Sequence, residues 1–186
     1  MTEMTAYTGQ LSAPVERFVL HWGDMGGHWG VNRSVAQIHA LLYLSDRPLT
    51  AEDIADQLGL ARSNVSNSIK ELQSWDLIRR VPIKGDRRDH FEAETDVWEI
   101  FARIAMGRKE REIDPAIAAL RTCAAEADGD GKINPIAVAR LKALLEFVDI
   151  MDRWAGQMKN VPRTQIAALV RLGTRIVSFL SFGKKK

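Results

Sequence analysis

LTAEDIADQLGL at residues 49–60, ARSNVSNSIKELQSWDL at 61–77 and IRRVPIKGDRRDHFEAE at 78–94 together decide the fold. The first piece opens as a helix. Thr50 stands three residues before Asp53, the spacing of a capping box with Asp in place of the usual Glu or Gln. Ile54, Ala55 and Leu58 share one face, and Gly59 follows where a left-handed backbone is free of steric cost. A second helix begins near Ala61. Ala55, four residues before Gly59, is small enough for two helices to approach closely, and Val65, six residues after it, plugs the joint.

The second helix divides cleanly by angle. Val65, Ile69 and Leu72 form a narrow apolar stripe that faces the core. Ser63, Asn67, Lys70 and Ser74 cluster opposite, with Asn64 and Ser66 beside them and Arg62 at the N-terminus. Ser and Asn are mediocre helix formers, and stability alone favours Ala, Glu and Lys on a solvated face. What this face offers is chemistry for nucleic acid. Asn bonds adenine edges, Arg grips guanine, and Ser and Lys bond bases or phosphates. An ordinary solvated helix face has the same polarity, so the helix alone leaves both readings open.

The next segment separates them. LIRRV, PIKGDRRD and HFEAE read as strand, turn and strand, with the turn at Lys84-Gly85-Asp86-Arg87. Arg79, Arg80, Lys84, Arg87 and Arg88 fall within ten residues. Residues 61–90 hold seven Lys/Arg against four Asp/Glu, whereas the whole chain carries only +2. The basic charge is therefore local, the pattern left by phosphate binding, and an arginine at a hairpin tip can enter a minor groove. Helix, glycine turn, helix and basic hairpin make a winged helix-turn-helix.

Three joined segments, HWGDMGGHWGVNRSVAQIHALLYLS (21–45), ARSNVSNSIKELQSW (61–75) and GDRRDHFE (85–92), resemble the GbsR/MarR family of winged helix-turn-helix transcriptional regulators. The resemblance spans roughly residues 14–114. It implies a dimeric regulator with Ser63, Asn64, Ser66 and Asn67 as recognition-helix contacts. Asp86, Arg87 and Arg88 match the Asp-Arg-Arg of the family's wings, where the aspartate braces the wing through a salt bridge and the arginine enters the minor groove. The resemblance also implies that some relatives sense choline or glycine betaine.

The remaining chain reads as helix. Residues 14–29 start at Pro14 and carry Phe18, Trp22, Met25 and Trp29 on one side. Residues 32–44 are apolar at Val35, Ile38, Leu41 and Leu42. Thr95 and Asp96 start another helix, Asp114-Pro115 and Asn134-Pro135 are caps with proline at the first helical position, and Val161-Pro162 precedes a last helix. The expected organisation is a disordered tail at 1–13, a DNA-binding domain at 14–95, a helical dimerisation and effector region at 96–182, and a basic tail at 183–186. The fold class is mainly α with a small β-wing. Ile166, Leu169, Val170, Ile176, Val177, Phe179, Leu180 and Phe182 give the last helix apolar groups on many sides, which calls for a second copy of the chain.

Composition excludes other classes. A single cysteine, Cys123, rules out an internal disulfide framework and fits a reducing cytoplasm, where it reads as a small apolar residue. MTEMTAYTGQ lacks an apolar signal region, and no apolar run approaches the ~20 residues of a membrane span. ADGDGKIN imitates part of a calcium loop. With Gly131 as its central glycine, however, the twelfth position is Ala137 instead of a bidentate Glu. His21 and His28 lie two turns apart and do not converge on one metal ion. No catalytic constellation or cofactor-binding motif is present, so no enzyme activity is expected. Four of the aromatics, Trp98, Phe101, Phe147 and Trp154, follow the wing on helices. Large rings at such spacing ordinarily pack in a core, but they also suit a cage for a quaternary ammonium effector.

The leading expectation is a cytoplasmic, homodimeric, sequence-specific regulator, a repressor, on a pseudo-palindromic double-stranded DNA operator. A winged-helix protein-interaction module is the alternative. A charge of +2 is low for an architectural protein that binds DNA by charge alone.

Overall fold

The computed structural model describes residues 11–129, 131–159 and 161–172. The elements run α1 (Ala13–His28), α2 (Arg33–Leu44), β1 (Leu49–Thr50), α3 (Ala51–Leu58), α4 (Arg62–Ser74), β2 (Ile78–Val81), β3 (His90–Ala93), α5 (Val97–Arg108), a π-helical stretch (Lys109–Ile113), α6 (Asp114–Gly129), α7 (Pro135–Lys159) and α8 (Arg163–Leu172). They form two compact units that divide between Gly107 and Arg108. Most of the expected tail at 1–13, the tail at 183–186, and Ile176, Val177, Phe179, Leu180 and Phe182 lie outside the described residues.

In the first unit α2 is the central element. Its residues Val35 to Leu42 are buried without interruption, as expected of a helix enclosed on all sides. Helix α1 lies against it at glycine positions. A Cβ on Gly23 would stand 2.5 Å from Cγ of Gln37, and one on Gly26 would stand 2.6 Å from Cβ of Ala36. Only glycine permits this approach. The buried Val19, Ile38, Leu41, Leu49, Ile54, Val65, Ile69, Leu72, Ile78 and Phe91 fill the core.

Helix α3 has the expected capping box. The Thr50 hydroxyl accepts from the Asp53 amide at 3.1 Å, and the Asp53 carboxylate accepts from the Thr50 amide at 2.9 Å. Gly59 ends it with φ +62°. Helix α4 closes with Asp76 in the left-handed region at φ +54°, and the Leu77 amide donates to the Leu72 carbonyl at 3.0 Å. This is the Schellman pattern with aspartate in the usual glycine position. Strands order β1-β3-β2, all antiparallel, with Arg79 opposite Glu92 and Leu49 opposite Phe91.

Three local readings change. The wing turn is Ile83-Lys84-Gly85-Asp86, one residue earlier than expected: the Asp86 amide donates to the Ile83 carbonyl at 3.1 Å, and Gly85 takes φ +88°. Glycine fixes the left-handed third position of the turn, so the turn follows the glycine. Strand β1 has only two residues and leaves no periodic trace in sequence. Asp114 is no cap. It has helical angles, −59° and −42°, and its amide donates to the Lys109 carbonyl five residues back. Pro115 has no amide hydrogen to continue the ordinary ladder, and the π-helical stretch before it absorbs the irregularity.

The first unit extends to Gly107, beyond the boundary at 95 expected from sequence, because Ile100 and Ile104 of α5 pack against the winged-helix core. In the second unit α6 packs on α7, burying Ile117, Ala124 and Ala127. Lys109 bonds Asp114 at 2.5 Å and Asp152 at 2.8 Å, and Arg121 bonds Asp149 at 2.7 Å. Asn134 caps α7 by accepting from the Ile136 amide at 2.9 Å. No helix among the described residues is long and apolar enough to cross a membrane.

Candidate nucleic-acid interface

Helix α4 presents its polar face outward. Arg62, Ser63, Ser66, Asn67 and Lys70 are exposed, while Val65, Ile69 and Leu72 are buried beneath them. Among the described residues Ser63, Ser66, Asn67 and Lys70 make no side-chain hydrogen bond or ion pair within the chain, so their donors and acceptors face solvent. Asn64 sits differently. Its amide donates to the Ser34 hydroxyl on α2 at 2.8 Å, and its carbonyl oxygen accepts from Ser68 at 3.4 Å. It ties the start of α4 to the central helix.

The wing's cations fall into two groups. Arg79 pairs with Glu92 across the β2–β3 ladder at 2.5 Å, and Arg80 pairs with Asp89 at 2.6 Å. Arg88 is held in a fork by Asp86, with Nη2 2.6 Å from Oδ2 and Nε 3.0 Å from Oδ1. The Arg88 amide donates to the same carboxylate at 3.0 Å. Hydrogen bonds from the Arg88 side chain hold the Asp86 carboxyl well below the usual carboxylate range. Within the described residues Lys84 and Arg87 carry no such partner, and both are exposed. The hairpin therefore offers Lys84 and Arg87 at its tip while Asp86 and Arg88 stiffen its return strand.

Glu52, on α3, brings helix and wing together. One oxygen lies 2.9 Å from Nη2 of Arg62 and the other 4.0 Å from Nη1 of Arg88. One carboxylate thus spans the start of α4 and the base of the wing tip. Sequence reading missed this residue. Its position in the first turn of α3 suggests only a favourable helix-dipole contact, and nothing in the chain order marks residues 52, 62 and 88 as neighbours.

The four aromatics are exposed. Trp98 and Phe101 stand on α5 in the first unit, and Phe147 and Trp154 on α7 in the second, so none fills the core of a single chain. His21 and His28 are exposed, and no group of three metal-ligating side chains occurs among the described residues.

This geometry agrees with known proteins. The MarR family model matches residues 29–89, from the end of α1 to the return strand of the wing. The HTH-type transcriptional repressor GbsR of Bacillus subtilis (strain 168) is 24% identical over 98 residues, 53% of this chain and 54% of that protein. The HTH-type transcriptional repressor OpcR of the same organism is 22% identical over 73 residues, 39% of this chain and 40% of its own length. The matched stretch thus spans about half or less of these relatives. A solved crystal structure described as that of a transcriptional regulator superposes with a TM-score of 0.55 at 22% identity, covering 78% of this chain and 95% of the other, and shows the same fold. The capped helix pair, the polar face of α4 and the braced basic hairpin all fall within or beside the segment that the MarR family model matches, and over that segment this chain is similar to the MarR family.

Proposed function

We propose that this chain is a homodimeric, sequence-specific DNA-binding transcriptional regulator that acts as a repressor. The observation that carries the reading is the exposed polar face of α4 beside the basic wing, whose nearness shows in Glu52 lying 2.9 Å from Arg62 and 4.0 Å from Arg88. Helix α4 enters the major groove with Ser63, Ser66 and Asn67 toward base edges and Arg62 and Lys70 toward phosphates. Lys84 and Arg87 enter the adjacent minor groove, where the potential is most negative. Asn64 and Asp86 position these groups, and Arg88 joins the phosphate contacts at the wing's base. The repressor assignment follows the names of the GbsR and OpcR relatives.

The dimer rests on α7. Leu144, Phe147, Met151 and Trp154 are exposed at spacings of three, four and three residues, the seam of a helix that pairs with another. A two-fold dimer presents two recognition helices to half-sites about one DNA turn apart, hence a pseudo-palindromic operator. On α5, Trp98 and Phe101 offer exposed ring faces to a quaternary ammonium effector, choline or glycine betaine, at ~0.5–2 kcal/mol per ring, while Phe147 and Trp154 are taken up by the seam.

Selection of bound duplexes from a random library, followed by mobility shift at several salt concentrations, tests the reading. A selected pseudo-palindrome with steep salt dependence is expected. Absence of binding at low salt points instead to a protein-interaction module. Titration with millimolar choline and betaine, followed by tryptophan fluorescence and operator binding, tests the effector, and no change in either signal removes it.

A further inference from the structure

Helix α5 docks on the winged helix through Ile100, Arg103, Ile104 and Gly107, four positions on one helical face. The two isoleucines, partly buried, pack against the core. The other two reach the far end of the recognition helix. The Arg103 guanidinium donates through Nη1 to the backbone carbonyl of Asp76, the left-handed residue that closes α4. Through Nη2 it bonds the Glu94 carboxylate at 3.1 Å, and through Nε it bonds Glu99 at 2.8 Å. Glu94 follows β3, and its amide donates to the Leu77 carbonyl at 2.9 Å. Its carboxylate also accepts from the Thr95 and Asp96 amides at 2.9 and 3.1 Å. One guanidinium therefore joins the exit of the recognition helix to the exit of the wing, and ties both to α5.

Gly107 makes the second contact. A Cβ there would stand 2.6 and 2.7 Å from Cζ3 and Cε3 of Trp75, the residue before Asp76. Those atoms belong to the body of a rigid ring packed against the core, so any side chain at 107 must displace the ring and with it the end of α4.

We infer that Arg103 and Gly107 are positioning residues for DNA recognition: together they clamp the C-terminal end of α4 and fix its angle to the wing. Asn64 holds the other end of the helix on Ser34. The inference rests on the proposed DNA-binding function, because the alignment of α4 and wing matters only where both enter one duplex. Neither residue needs to touch DNA. Misalignment costs base contacts, which require fixed geometry, and spares the sequence-independent phosphate attraction.

The test uses full-length Arg103→Gln and Gly107→Ala, with the selected operator and a scrambled duplex of equal length as probes. Each variant is assayed below its measured unfolding midpoint. The expected result is a loss of about tenfold in operator affinity, the size of one misaligned base contact. Scrambled-duplex affinity and the salt slope should stay at wild-type values. A variant that loses only folded fraction weakens both duplexes equally, and that outcome overturns the inference. A salt slope flatter by about one ion per protomer for Arg103→Gln means a direct phosphate contact, and it overturns the inference as well. So does operator affinity equal to wild type in either variant. If Arg103→Gln does not fold, Gly107→Ala decides by the same criteria. Wild-type protein that binds neither duplex refutes the DNA-binding reading itself, an outcome separate from equal binding by wild type and variants.

Discussion

Glu52 places a carboxylate between two guanidinium groups that the proposed complex turns toward phosphates. Exposed ion pairs contribute little to stability, so its main effect is to neutralise cations before DNA arrives. Glu52→Gln is expected to raise duplex affinity roughly two- to fivefold per protomer, the range of one exposed pair, and to steepen the salt slope by about one ion per protomer. Fluorescence anisotropy across a salt series measures both, and weaker binding by the variant contradicts this role. The two asparagines of α4 should separate. Asn67→Ala should lose discrimination at particular base positions by ~1–3 kcal/mol, read by competition with single-substituted operators, and keep its stability. Asn64→Ala should lose about 1 kcal/mol of unfolding free energy in urea, since it leaves Ser34 without its partner. Sequence placed both on the polar side of α4, because helical angle follows from order alone. It gave no sign that Asn64 turns inward, because Ser34 lies thirty residues away and becomes a neighbour only through tertiary packing.

Helix α2 carries a titratable group into the core. His39 is 6% exposed, its Nε2 has no hydrogen-bond partner, and burial lowers its pKa from 6.5 to about 4. The unfolded chain therefore takes up the proton first as pH falls. Stability is full above pH 6.5 and declines toward pH 4, by about 3 kcal/mol in total. Urea unfolding at pH 7.5 and 4.5 should show this loss, and His39→Leu should abolish most of it. An equal loss in the variant assigns the effect to other groups. The elements themselves were legible wherever a local signal fixed an end: the Thr50–Asp53 box, Gly59, and Asn134 before Pro135. They were illegible where the deciding interaction was distant or where one signal had two solutions. Leu49–Thr50 is a strand only because β3 passes beside it. Asp114-Pro115 reads equally as a helix start or as a proline inside a helix, and the π-helical stretch selects the second.

Across the whole molecule, charge and apolar surface are separated along the chain. The net +2 hides a local excess of Lys and Arg over residues 61–90, seven against four Asp/Glu, while exposed Leu144, Phe147, Met151 and Trp154 lie in the second unit. The first was readable as a local excess of Lys and Arg. The second was not, because helical spacing marks an apolar stripe without saying whether its own chain covers it. Light scattering at micromolar concentration should give the mass of a dimer, and Phe147→Asp with Trp154→Asp should shift it toward monomer. A stable wild-type monomer excludes this arrangement. The central claim is that the face built by α4 and the wing binds DNA, and the salt dependence of operator binding tests it most directly. Five exposed cations per protomer, Arg62, Lys70, Lys84, Arg87 and Arg88, supply the phosphate contacts of a dimer. The logarithm of the binding constant should then fall linearly with the logarithm of salt concentration, with a slope of about −9 for the dimer. Arg87→Ala should flatten that slope by about two for the dimer, one ion per protomer. A slope near zero, or no binding at 50 mM salt, contradicts the account.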